Sequence, residues 1–93
     1  MSRPAHFKFR LYVAGDAANS MQAVSNLHAL CREHLPERHE IEVIDVLREP
    51  KRALDEGVLL TPMLVRVSPD PIRRIVGNLS LPQPLLQMLE LPP

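Results

Sequence analysis

Thr61-Pro62-Met63-Leu64-Val65-Arg66-Val67 decides how this chain folds. Pro62 lacks a backbone N–H, so it suits the first position of a strand rather than its middle. Met63 to Val67 then reads as that strand, rich in β-branched and apolar residues. Ser68-Pro69-Asp70-Pro71 is turn chemistry, Ile72 to Val76 is a second short strand, and Gly77-Asn78 is another turn. Ser80 is placed to cap a last helix through about Leu89, with Pro82 and Pro84 in its first turn.

Upstream, Pro50 suits the first turn of a helix through Asp55, which Gly57 ends. Phe7, Phe9, Leu11 and Val13 alternate with Lys8, Arg10, Tyr12 and Ala14, the period of a strand. Gly15 to Ser20 reads as a turn running into a helix capped by Asn19 or Ser20. Val24, Leu27, Cys31 and Leu35 form its apolar stripe, with Ala23 and Leu30 beside them, and Pro36 closes it. The segment from Glu40 to Val46 reads as a strand buried on both faces, hence central and parallel to the first.

The element order is strand, helix, strand, helix, strand, strand, helix. The expectation is one α/β domain over residues 1–93 with the thioredoxin-like βαβαββα order, in which the proline opening the third strand is cis.

Eleven Lys and Arg balance eleven Asp and Glu, so the formal charge is zero and no global field draws nucleic acid or an anionic membrane. No apolar run approaches the roughly 18 residues of a membrane span. The start, Met1 to His6, has no signal-peptide core, and a single cysteine fits a reducing cytoplasm. Near-zero charge leaves self-association open.

Chemistry is sparse. The turn after the first strand, Gly15 to Ser20, holds no thiol, and Cys31 lies in a helical stripe as a buried structural residue. His28 and His34 are six apart and do not share a helical face; His6 and His39 belong to other segments, so no metal or other cofactor is expected. Gly15 stands without a phosphate-binding loop. Asp45 is a candidate general base, with the capping of a nearby turn the favoured role. Arg66, Arg73 and Arg74 against Asp70 make a cationic segment, read either as a solvated edge or as a surface for an acidic protein partner. Nucleic acid is disfavoured, because Phe7, Phe9 and Tyr12 are all the aromatic residues the chain has.

Leu11-Tyr12-Val13-Ala14-Gly15 with Asn19-Ser20, Val43-Ile44-Asp45-Val46-Leu47 with Pro50, and Leu59, Thr61-Pro62 and Leu64 resemble the KaiB family of circadian clock proteins. Pro69, Pro71, Arg73, Arg74, Ile75, Gly77, Leu79 and Ser80 resemble its P-x-P-[VI]-R-[KR]-I-[IV]-G-[DN]-L-S signature. The resemblance implies a non-enzymatic partner of the ring-shaped ATPase KaiC, docking through Leu59, Thr61, Pro62, Arg66, Arg73 and Arg74. It also implies a metamorphic second half. A self-associating ground state, a dimer or tetramer, would exchange with a thioredoxin-like monomer, with Pro62, Pro69, Pro71 and Gly77 as fold-switch candidates. Local preference fits that, since Val58-Leu59-Leu60 suits a strand as well as a helix. Glu42 stands where a basic residue is common on the second strand, which argues against KaiA as a partner. Asp70 replaces a frequent proline, and the tail from Leu81 diverges. The competing functions are a thioredoxin-like enzyme without redox cysteines and a sensor domain of a SasA-type kinase. The latter is disfavoured by a chain that begins at Met1 and ends in its own short tail.

Overall fold

The computed structural model describes residues 5–89. Seven elements follow in order: β1 Phe7–Val13, α1 Ala18–His34, β2 His39–Asp45, α2 Pro50–Glu56, β3 Met63–Ser68, β4 Arg73–Val76 and α3 Pro82–Met88. They build a four-stranded mixed sheet in the order β2-β1-β3-β4. β1 pairs parallel with β2 and antiparallel with β3, and β3 pairs antiparallel with β4.

The period of β1 assigns the two faces. Phe7, Phe9, Leu11 and Val13 point to one side and pack on Ala23, Leu27, Cys31 and Leu35 of the α1 region, together with Leu64, Leu79, Leu85 and Met88. Tyr12 points to the other side, with Ile44, Met63 and Val65. α2 lies there, bringing Arg52 and Glu56 against Glu42 and Arg10.

β2 is an edge strand, not the central one its apolar run suggests. β3 takes the other side of β1, so among the described residues no strand pairs with the outer edge of β2. Ile44 is buried, but Val43 is 43% exposed.

Both side-chain caps also fall elsewhere. Ala17 is the N-cap of α1, and its carbonyl accepts the Met21 N–H at 3.0 Å. Ser20 lies inside the helix, where its buried Oγ accepts the Ala14 N–H at 3.1 Å and ties off the loop after β1. At α3 the N-cap is Leu81, while the Ser80 N–H donates to Asn78 Oδ1 at 3.0 Å. Asn78 also donates from Nδ2 to Gln22, and its carbonyl accepts from Asn26, so the loop after β4 is fastened to α1. That fastening holds buried Leu79 at φ 63°, in the left-handed region a branched side chain rarely adopts.

The end of α2 follows the sequence. Gly57 takes φ 73° at the C-cap, a conformation that is costly for any residue with a Cβ. The chain then crosses Val58, Leu59 and Leu60 to Thr61-Pro62, whose peptide bond is cis. Ser68-Pro69 and Asp70-Pro71 are cis as well.

Candidate functional site

The turn after β1 is where a thioredoxin-like sheet would carry its thiols. Gly15 to Ser20 fills it without one, and Cys31 is fully buried in α1, its thiol pushed up to about 11 by burial. Asp45, weighed above as a base, binds this turn instead. Its Oδ1 accepts the Gly15 N–H at 3.0 Å and the Leu47 N–H at 2.9 Å, and these two bonds lower its pKa. It is a turn-binding carboxylate. Among the described residues, no group of three or more His, Cys, Asp or Glu side chains is arranged to hold a metal ion.

Around the end of α2 the fold leaves large apolar side chains in solvent. Leu59 is 89% exposed, and Leu54 and Leu60 are also well exposed. Thr61 is half-buried, and Pro62 is buried behind them at the start of β3. Burying one such leucine contributes roughly 1.5–3 kcal/mol, so this loop leaves apolar burial unrealised.

The arginines separate. In the β3–β4 ladder, Val65 stands opposite Arg74 and Arg66 opposite Arg73. Val65 belongs to the Tyr12 side, so Arg74 faces α2 and Arg73 faces α1 and α3. Both are exposed. Arg66 is only 1% exposed. Its guanidinium donates to the carbonyls of Met88 and of Pro71, and burial followed by the charge of Arg73 pushes its pKa down. Arg66 therefore fixes α3 and the 68–71 turn to β3 and presents almost no surface. Of the proposed fold-switch positions, Pro69 and Gly77 are half-buried and Pro71 is exposed.

A chain of opposite charges crosses the α2 side. Arg52 makes a two-pronged bond to Glu42, at 2.8 and 3.0 Å, and Arg10 approaches the same carboxylate at 3.5 Å. Arg10 also meets Glu56 at 3.8 Å, and Glu56 meets Arg74 at 4.0 Å. The hydrogen bonds from Arg52 lower the pKa of Glu42 and raise that of Arg52. Sequence reasoning missed Glu56. The i,i+4 spacing from Arg52 suggests an intrahelical pair, whereas Arg52 turns to β2 and Glu56 to β1 and β4.

The KaiB family model matches residues 10–91. The chain belongs to the KaiB family. It is 38% identical over 84 residues to the circadian clock protein KaiB3 of Synechocystis, covering 90% of this chain and 82% of that protein. It is 39% identical over 80 residues to the circadian clock oscillator protein KaiB of Prochlorococcus marinus, covering 86% of this chain and 70% of that one. In three dimensions it resembles the N-terminal domain of SasA from Synechococcus elongatus (TM-score 0.75, 18% identity, 95% of this chain and 84% of that one). It also resembles mitochondrial thioredoxin 3 of Saccharomyces cerevisiae (TM-score 0.73, 16% identity, 91% and 77%). At these identities the two likenesses speak to the fold, which is thioredoxin-like. This KaiB family member contains no helix among its described residues that is long and apolar enough to cross a membrane.

Proposed function

We propose that this KaiB family chain is a single-domain, non-enzymatic regulator in the cytoplasm. It docks on a KaiC-type ATPase and modulates the phosphorylation and ATPase cycle of a circadian, timing or stress system. The observation that carries the reading is family membership across residues 10–91, on a thioredoxin-like sheet whose thiol turn is empty of cysteine. An exposed leucine loop and the surface arginine Arg74 on the α2 side are what such docking needs: an apolar anchor and a charge-assisted contact to an acidic partner.

A second conformation of the segment after Leu47, with self-association into a dimer or tetramer, belongs to the same proposal. Leu54, Leu59 and Leu60 are left unburied in the thioredoxin-like arrangement, so another packing that covers them would recover apolar burial. KaiA capture through β2 is disfavoured, because Glu42 is acidic and already engaged by Arg52 and Arg10.

The test is capture of the host's KaiC-type ATPase by the purified chain, with and without ATP. Capture by wild type, lost in an Arg73→Glu/Arg74→Glu double variant whose circular dichroism spectrum is unchanged, supports the reading. Undiminished capture by the variant removes both arginines from the surface. A wild-type chain that captures nothing removes the function.

A further inference from the structure

Arg74 does not wait for a partner with its charge unanswered. Glu56 Oε2 lies 4.0 Å from its Nη2, and the same carboxylate sends Oε1 to Arg10 at 3.8 Å. The Glu56 side chain is 25% exposed, whereas that of Arg74 is 45% exposed. The acid is therefore held inward on the sheet while the guanidinium keeps an open side. The pair sits where α2 ends, since a Cβ placed on Gly57 would meet Arg74 Nη1 at 3.7 Å. Leu59 follows two residues later.

We propose that Glu56 is an affinity-setting residue: it occupies Arg74 as an internal stand-in for a partner's carboxylate, and docking on the α2 side exchanges one acid for the other. The inference rests on the docking function proposed above. A contact of this length between partly exposed groups is loose enough to exchange. It differs from the tight pair at the other end of the chain of charges, where Arg52 holds Glu42 by two short bonds. Removing the Glu56 charge leaves Arg10 paired with Glu42, so the sheet keeps its neighbouring contact.

The experiment has two arms. Affinity for the host's KaiC-type ATPase is measured for wild type, Glu56→Gln, Arg74→Met and the double variant, with Asp55→Asn as a control. Asp55 lies on the same helix and pairs with Lys51. Glu56→Gln is expected to bind about two- to fivefold tighter, to lose that gain in the Arg74→Met background, and to differ from Asp55→Asn. The second arm follows the Arg74 side-chain Nε–H signal by NMR without partner. It is expected to move in Glu56→Gln and to stay in place in Asp55→Asn. An unmoved signal, or a wild-type complex whose affinity Glu56→Gln leaves unchanged, overturns the exchange. Absence of any wild-type complex removes the docking function and the exchange together, even where the NMR signal moves.

Discussion

Arg73 and Arg74 are consecutive residues of β4 and project to opposite faces of the sheet, Arg74 toward α2 and Arg73 toward α1 and α3. A strand turns alternate side chains apart, so a dibasic pair in a strand is not one patch. Only Arg74 shares the side on which α2 and Glu56 lie. Single charge reversals are therefore expected to separate. Arg74→Glu weakens capture of a KaiC-type ATPase by at least about tenfold, the scale of a charge-assisted contact turned repulsive. Arg73→Glu changes it by less than about twofold. Calorimetric or surface-binding titration of the two variants checks this, and equal losses would place the docking surface across the β4 edge.

Asp45 gives a prediction in pH. The Leu47 and Gly15 N–H groups bond its charged form, so its folded pKa lies below the ordinary value of 3.8. A depressed carboxylate stabilises the fold fully above the unfolded pKa, and that contribution is lost as pH falls through the folded value. Asp45→Ala is expected to unfold at lower temperature at pH 7 and to lose less further stability than wild type as pH falls below about 4. Thermal melts from pH 3 to 7 measure this, and parallel curves for the two proteins would show that the two bonds contribute nothing to the acid limb.

Much of this architecture is legible in the residues, because the strong signals are local. The alternation from Phe7 to Val13, the i,i+4 line Ala23-Leu27-Cys31 and the Gly57 cap each state their own geometry. Legibility ends where geometry is set by a distant element. The run Val43-Ile44-Val46 is apolar enough for a central strand, but its place at the edge is decided by β3, which pairs with the other side of β1. Arg66 reads as surface charge because arginine usually is; its burial depends on carbonyls at Met88 and Pro71 that converge only in three dimensions. Ser80 and Ser20 look like helix caps, but the Ala14 N–H takes the Ser20 hydroxyl and the Ser80 N–H donates to the Asn78 side chain, each contact lying in a neighbouring turn.

Cys31 supplies a chemical check on the cysteine-free turn. Burial disfavours the thiolate and pushes the thiol up to about 11, so at pH 8 the native protein holds almost no nucleophilic sulfur. Native protein is expected to react with a thiol-specific disulfide reagent at least about a hundredfold more slowly than protein in denaturant, and to show no disulfide reductase turnover. Rapid labelling of the native chain, or turnover abolished by Cys31→Ser, would contradict the buried assignment.

Gly57 tests the end of α2. At φ 73° an alanine is strained, and its Cβ would rest 3.7 Å from Arg74 Nη1, an ordinary contact. Backbone strain therefore dominates, and Gly57→Ala is expected to cost about 1 kcal/mol of stability. Chemical denaturation measures it. A neutral result would mean that the helix end relaxes into another cap.

Arg66 separates a structural arginine from a docking one. Its guanidinium, buried on the α1–α3 side of β3, donates to the carbonyls of Met88 and Pro71 and so joins the end of α3 and the turn before β4 to the same strand. Arg66→Met keeps much of the apolar stem and removes both donors, leaving the two carbonyls to find other partners. Each lost bond to a charged donor costs about 1.5–3 kcal/mol, less whatever the Pro71 carbonyl regains from water on its exposed turn. A net loss of roughly 2–4 kcal/mol is expected. Arg66→Lys should fall between, since one ammonium cannot reproduce the planar fork that reaches two separate acceptors. At temperatures where the variants remain folded, their affinity for a KaiC-type ATPase should stay within about twofold of wild type, because a residue with 1% exposure has no surface to offer. Stability measured by denaturant titration, set beside binding measured on the folded fraction, separates the two roles. A variant as stable as wild type that binds more weakly would return Arg66 to the docking surface.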